Sequence, residues 1–276
     1  MLLKSVVSVG VLSACITLSA FADADTQVQV QASEIAKQER ALDNSFFQQQ
    51  VQQSMSPGRT VRTLIGHYPQ SATSIVDIAL DLYPERYKEI IHSAVSALPS
   101  SAEDIVTIAV NKGITECESI VEAAIKAEPS YVSFVATAAA NASPEDFNDI
   151  LRVAVMTEPD SADKIVQHMA TSFPEKIAEI LSNTIKHVPL VGEYIVDALL
   201  AVFPNKAEEV VSVAVRESSA DRQQIERIIA TALDAGVTQI DVTRFASMGG
   251  ATDAEITAGV GHSGQASQPE QVPPID

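Results

Sequence analysis

Prolines at a fixed interval divide the middle of this chain into units of equal length. Neighbouring prolines within each of two runs lie 15 residues apart, and the one gap in the series falls at Ile114. The series consists of Pro69, Pro84, Pro99, Pro129, Pro144, Pro159, Pro174, Pro189 and Pro204. Because proline lacks a backbone donor and is tolerated only in the first turn of an α-helix, each proline is expected to open a new helix.

Apolar residues recur inside each unit at helical spacing. Counted from the proline, positions 4, 7, 8, 11 and 12 are mostly aliphatic, and position 11 is alanine in seven units. This spacing places them on one helix face, whereas a β-strand would require strict alternation. Each unit is therefore predicted to be a helix of about 10–12 residues followed by a tight turn. At the missing proline, Gly113 ends one helix, and the spacing of Thr115 and Glu118 predicts a capping box for the next.

Helices this short are only marginally stable alone in water, so they must bury their apolar faces against neighbours. A regular series joined by short turns does this by stacking. The predicted fold is therefore all-α: a solenoid of short antiparallel helices with a 15-residue repeat, in which two units form a 30-residue hairpin.

The first 22 residues have the organisation of a secretory signal. Lys4 precedes an apolar stretch over 5–18, and Ala20-Phe21-Ala22 forms a cleavage site, which predicts a signal peptide over 1–22 cut after Ala22. The segment is short for a membrane span and no stop-transfer signal follows, so no integral span is expected in the mature chain. The protein is expected to be exported, to the periplasm or the medium.

A lipoprotein signal is the alternative interpretation of this segment. Leu12-Ser13-Ala14-Cys15 resembles a lipobox, which would anchor the protein through Cys15. The apolar run continues beyond Cys15, and this favours simple cleavage. Removal of the signal then leaves Cys117 as the one cysteine, at a core position of its unit, where an inert buried thiol is expected.

Charge restricts the kinds of partner. The formal net charge is −18, and aromatic residues make up 5% of the chain. Nucleic acid and anionic membrane surfaces both require a basic footprint, so neither is an expected partner.

Composition divides the chain after residue 22 into three segments. Residues 23–56 form a polar, Gln-rich segment that is expected to be partly helical, and the repeat domain is assigned to 57–246. From 247 to 276, Gly, Ser, Gln and Pro are frequent. This predicts a disordered tail in which Gly249-Gly250 and the sequence around Gly259 act as linker.

The repeated pattern is Pro-x-x-Ala-x-x-Ile-Val-x-x-Ala-Val, as in Pro99, Ala102, Ile105, Val106 and Ala109. It resembles the Pro-punctuated, Ala/Ile/Val-rich repeats of some exported bacterial proteins of unassigned function. The resemblance covers about 57–245 and implies architecture and export, without bringing an activity.

No constellation of residues indicates chemistry. The five histidines include no pair at helical ligand spacing, and HExxH, CxxC, GxSxG and P-loop motifs do not occur. We therefore expect no catalytic residues, no metal site, no cofactor and no enzymatic activity.

Large apolar residues at nominally exposed positions indicate an interaction surface instead. Tyr131 and Phe134 occupy positions 3 and 6 of one unit, and Val191 and Tyr194 occupy the same positions four units later. Successive units alternate between the layers of a two-layer solenoid, and these two units are separated by an even number of steps. Both pairs are therefore expected in one layer, as a candidate patch for binding protein or peptide. Packing of these residues against the N-terminal helix or the tail is the alternative.

The sequence is best interpreted as that of an exported, non-enzymatic interaction or scaffold protein. It would bind protein or peptide partners, or another copy of itself. A structural component of the cell surface or extracellular matrix is the first alternative, and an enzyme with an unrecognised site is the second.

Overall fold

The computed structural model describes residues 44–54 and 56–263. The chain divides into two compact units, Met1–Gln53 and Ser54–Asp276. Helix α1 spans 44–54, within the segment that was expected to be partly helical. The predicted signal peptide, its cleavage site after Ala22 and Cys15 lie outside the described residues.

Fourteen further α-helices follow in the described part of the second unit, and these residues contain no β-strand. The helices are α2 Pro57–His67, α3 Ala72–Leu82, α4 Tyr87–Ala97, α5 Ala102–Lys112, α6 Cys117–Ala127, α7 Val132–Ala142, α8 Phe147–Thr157, α9 Ala162–Ser172, α10 Ile177–His187, α11 Gly192–Val202, α12 Ala207–Glu217, α13 Arg222–Asp234, α14 Gln239–Gly249 and α15 Asp253–His262.

The proline-initiated units share one plan. The proline opens a 3₁₀ turn of 3 residues and an α-helix of 11 residues follows. Where another proline comes next, one residue in a non-helical conformation separates the helix from it. That residue, for example Phe203 at φ −124° and ψ 61°, lies outside the α-helical region, which a following proline disfavours. The α-helix thus begins three residues after the proline rather than at it.

The predicted core positions are buried. In α5 they are Ala102, Ile105, Val106 and Ala109, and positions 7 and 8 are buried in every proline-initiated unit. Full burial of each such Val or Ile contributes about 1.5–3 kcal/mol. The polar exception, Thr184, satisfies its hydroxyl by donating to the carbonyl of Ile180 at 2.8 Å.

The helices alternate between two layers. Even-numbered helices pack on one another in series from α2 to α14, and odd-numbered helices do so from α3 to α15. Consecutive helices also pack across the two layers, with α10 and α11 as the exception. This arrangement confirms the predicted all-α solenoid of short antiparallel helices.

The missing proline is replaced by a left-handed glycine. Gly113 has φ 58° and caps α5, its amide donating to the carbonyl of Val110 at 2.9 Å. The expected capping box is wrong, because α6 begins at Cys117 with Glu116 as its N-cap residue and without a side-chain cap. The side chain of Thr115 instead lies near the hydroxyl of Tyr87 on α4: burial alone would raise the pKa of this phenol, but the side chains of Ser119 and Thr115 help to hold it below its ordinary value.

The array extends further than composition indicated. Residues 247–263, expected to belong to a disordered tail, include the end of α14 and all of α15. Thr238 caps α14, and Thr252 with Glu255 forms a capping box at the start of α15. The repeat boundary at 246 is therefore too early, and residues 264–276 lie outside the described residues.

Two of the glycines interpreted as linker are packing residues. A Cβ atom on Gly249 would lie 2.6 Å from the carbonyl oxygen of Ser212, and one on Gly259 would lie 2.7 Å from the side chain of Ile229. Glycine at these sites allows α14 to approach α12 and α15 to approach α13 closely. The glycines that made this segment look disordered in the sequence are therefore explained by tight packing between helices.

Candidate functional site

The two layers differ in the number of charged residues that they carry. The five even-layer units that begin at residues 84, 114, 144, 174 and 204 contain 23 Asp, Glu, Lys and Arg residues. The five odd-layer units that begin at 69, 99, 129, 159 and 189 contain 10, and α7 contains none. The even-numbered side of the solenoid is therefore rich in charged residues and the odd-numbered side has few, although both have a similar net negative charge.

Charged residues pair between successive helices of a layer, its rungs, in both layers. In the odd-numbered layer, Lys112 of α5 contacts Asp77 of α3 at 2.8 Å. Arg152 of α8 contacts Glu118 of α6 at 2.8 Å, and Asn148 of α8 donates to Glu179 of α10 at 2.6 Å. Each pair contributes at most about 1 kcal/mol at such exposed sites. Ion pairing between rungs therefore does not distinguish the two layers, whereas the number of charged residues does.

An aromatic cluster lies on the odd-numbered helices. The rings of Tyr131 and Phe134 have centroids 5.8 Å apart, and Phe134 meets His168 of α9 edge to face at 4.8 Å. Phe134 is 40% exposed, whereas Tyr131 is half-buried. The structure thus brings the first predicted pair together and adds His168, which the sequence interpretation had left as an ordinary helix residue.

A second apolar group lies at the start of α11. Tyr194 is 61% exposed and Leu190 is 73% exposed, whereas Val191 is half-buried. Leu190 was overlooked in the sequence, although a signal was present. It occupies position 2 of its unit, where the other eight proline turns all have a polar residue.

The two groups lie in the same layer, as the even number of units between them predicted, but they are not on adjacent helices of that layer. Helix α9 lies between α7 and α11, and packed helices are spaced about 8–10 Å apart. The exposed side chain of Lys164 occupies on α9 the position that Phe134 and Tyr194 occupy on their helices. A partner that contacts both groups must therefore extend over about 20 Å, the length of roughly six extended residues.

Cys117 is the nucleophilic side chain that the core encloses. Its burial, together with the nearby carboxylates of Asp146, Glu118 and Glu145, raises the pKa of the thiol to about 12. The group stays protonated at neutral pH, and a protonated thiol is a poor nucleophile and metal ligand.

A shallow cleft of about 380 Å³ lies between the turn at Pro204 and the turn at Gly236. Its acidic residues are Glu208 and Asp241, and Asp241 is already paired with Arg244 at 3.0 Å. Across 44–54 and 56–263, no group of three or more His, Cys, Asp or Glu is placed to hold a metal ion.

Within the same described residues, every helix is too short or too polar to cross a bilayer. Comparison of the chain with protein-family models, with curated proteins and with solved structures found no significant match.

Proposed function

We propose that this chain is an exported, non-enzymatic interaction protein that binds a protein or peptide along the outward side of its odd-numbered helices. The observation that carries the proposal is the chemical difference between the two layers. The odd-numbered layer, which has few charged residues, exposes Phe134, Tyr194 and Leu190, while the even-numbered layer has more than twice as many charged residues in the units compared. The signal-like sequence over 1–22 supports export.

The exposed residue types suit recognition. Tyrosine and phenylalanine offer large contact area at a low cost in conformational entropy, and tyrosine is enriched among residues that dominate binding energy. Truncating such a residue typically costs about 2 kcal/mol or more of binding free energy when it is a dominant contact. The two groups are separated by α9, so an extended peptide or a protein edge fits this surface better than a compact ligand.

The proposal is tested by affinity capture from the cell envelope and the medium with the tagged mature chain, with and without calcium. The partner is then purified and its affinity measured by calorimetry. The triple variant Tyr131→Ser, Phe134→Ser, Tyr194→Ser is expected to weaken binding at least 30-fold, equivalent to about 2 kcal/mol, while its circular dichroism stays helical.

The matched control is Met156→Ser, which removes an exposed apolar side chain from the even-numbered layer. It is expected to bind the partner with unchanged affinity. Equal affinity of the triple variant and the parent chain would reject the proposed surface. If the captured protein is the chain itself and the triple variant no longer self-associates, a structural role through the same surface replaces binding of a separate partner.

A further inference from the structure

Tyr194 on α11 presents a ring that the chain itself leaves uncovered. Its side chain is 61% exposed, and among the described residues no other ring contacts it and no cation lies over it. Asp197 follows three residues later on the same helix and is also exposed. Since residues three apart on a helix are surface neighbours at about 5–6 Å, the ring and the carboxylate form one exposed pair.

A similar pair lies two rungs away in the same layer. Phe134 of α7 is 40% exposed. Asp104 on α5 occupies the same position of its own unit, the sixth, and is exposed. Helices α5 and α7 pack on each other, with about 8–10 Å between the axes of packed helices. A long side chain of a partner can therefore contact the ring and reach the carboxylate.

Unpaired charge in the odd-numbered units from α5 to α11 is mostly negative. Lys112 is held by two carboxylates of α3, and Glu193 is paired with Arg227 of α13 at 2.5 Å. Within the described residues, the charged groups of these units that form no ion pair are Lys164 and the carboxylates of Glu103, Asp104, Asp160, Asp163 and Asp197. This excess of carboxylates favours a positively charged partner.

Rings on the even-numbered helices already have cations over them. The Nζ atom of Lys176 lies 4.5 Å from the centre of the Phe147 ring on α8, and one ring on α4 and one on α14 are contacted in the same way. Such contacts form because the negative face of an aromatic ring attracts a cation within about 6 Å. In the described part of the chain, Phe134 and Tyr194 have no such cation, so a partner would have to supply it.

We propose that the partner is a cationic peptide segment, whose arginine or lysine side chains stack on Tyr194 and Phe134 and place their charges beside Asp197 and Asp104. This inference rests on the proposed function, because it specifies the partner of the same surface. An acidic segment would bring like charges together. An uncharged segment would cover both carboxylates without compensating them, which costs free energy.

The distance between the two pairs sets the spacing of the cations. Helix α9 separates α7 from α11, so the two rings are about 20 Å apart, and an extended strand rises about 3.3 Å per residue. Two basic residues six positions apart therefore span the distance. Because side chains of a strand alternate with a period of two, both residues project to the same side. Lys164 of α9 disfavours a further cation between them.

The test measures the affinity of the mature chain for labelled synthetic peptides by fluorescence anisotropy, at about 50 mM salt so that screening is weak. The first peptide, Ser-Arg-Thr-Val-Thr-Val-Thr-Arg-Ser, has its arginines six positions apart. Glutamine replaces both arginines in the second peptide, and glutamate replaces them in the third. We expect the arginine peptide to bind about 10-fold more tightly than the glutamine peptide, and the glutamate peptide to bind most weakly. Equal affinity of the arginine and glutamine peptides would overturn the proposal, as would no binding of the arginine peptide at about 1 mM.

Two variants separate this site from a general attraction to an acidic protein. Asp197→Asn removes one charge, keeps the shape of the side chain, and is expected to weaken binding of the arginine peptide about 5-fold. Glu175→Gln removes the same charge from an exposed turn of the even-numbered side and is expected to change the affinity less than about twofold. Equal losses in the two variants would show non-specific attraction and overturn the proposal.

Failure of this proposal is distinguishable from failure of the proposed function. The triple serine variant tests whether the odd-numbered side binds a captured partner, whereas Asp197→Asn tests whether the bound segment is cationic. Loss of the captured partner in the triple variant, with unchanged affinity in Asp197→Asn, would leave the proposed function in place and overturn the cationic segment. Dimers of the parent chain in light scattering that Asp197→Asn abolishes would identify a second copy as the source of the cation, and would overturn a separate peptide partner.

Discussion

The ring of Phe134 on α7 meets the ring of His168 on α9 edge to face, with centroids 4.8 Å apart. The two residues are 34 positions apart in sequence, and they link neighbouring rungs of the odd-numbered layer. Edge-to-face pairs contribute about 0.5–1.5 kcal/mol beyond the area that they bury. The exposed aromatic cluster is therefore part of the packing between rungs as well as a candidate contact surface.

This contact predicts an energetic coupling between the two side chains. A double-mutant cycle of Phe134→Ala and His168→Ala is expected to give a coupling of about 0.5–1 kcal/mol in the free energy of unfolding. Urea denaturation of the four proteins measures it. The control cycle of Phe134→Ala and Tyr194→Ala joins residues two rungs apart, and its effects are expected to add. Additive effects in the first cycle would contradict the contact.

Two glycines of α15 should respond in opposite ways to alanine. At Gly259 the new Cβ would meet Ile229, whereas Gly261 has open space around it. We expect Gly259→Ala to lower the free energy of unfolding by about 1–3 kcal/mol through overpacking. Gly261→Ala is expected to raise it, by up to about 1 kcal/mol, because alanine has the higher helix propensity. Equal effects in urea denaturation would show that α15 does not pack closely on α13.

Glu89 should make stability depend on acid pH. Burial alone would raise the pKa of its carboxyl, but hydrogen bonds from Ser56, Arg86 and the amide of Gly58 outweigh burial and hold that pKa below its ordinary value. A lowered pKa in the folded state contributes stability above the unfolded-state pKa of about 4.3. That contribution is lost as the pH falls through the folded-state value.

The measurement is the free energy of unfolding of the parent chain and Glu89→Gln between pH 7 and pH 3. The parent chain is expected to be more stable at pH 7, and the difference is expected to shrink steadily below about pH 4. Glu85→Gln, in the exposed turn just before α4, is the matched control. A difference between parent and Glu89→Gln that stays constant with pH would show that this carboxylate does not stabilise the start of α2.

The thiol of Cys117 should report global unfolding. Its pKa of about 12 and its buried position keep it unreactive toward a thiol reagent at pH 7.5. We expect labelling to remain slow until denaturant unfolds the array, and the labelling midpoint to match the loss of helical circular dichroism. Gly66→Cys places a second thiol in open space and should react at once. Equally fast labelling of Cys117 in the native protein would contradict its burial.

The core could be predicted in detail because it is a local property of the sequence. Ile105 and Val106 lie on the apolar stripe of their unit, and a stripe with helical period has one arrangement that buries it. Proline restricts its neighbour strongly, so the start of each unit was also predictable, although the 3₁₀ turn between the proline and the helix was not.

The errors fall where a residue's role depends on distant parts of the chain. Gly259 resembles a linker residue until Ile229 of α13 is beside it, and Gly249 does so until Ser212 is. In the candidate site, Phe134 and Tyr194 were identified because position 6 lies off the apolar stripe. His168 was missed because its role requires the register between rungs, which one unit does not encode.

Because units alternate between the two layers, the number of repeats before a helix determines the layer in which it lies. Gain or loss of one 15-residue unit would move every later helix to the opposite layer, so Tyr194 would join the heavily charged side while Glu217 would move to the side with few charged residues. Gain or loss of 30 residues would leave all later side chains where they are. Lineages of this protein should therefore lengthen or shorten by whole hairpins, with an even count of units conserved between any two surface features that act together.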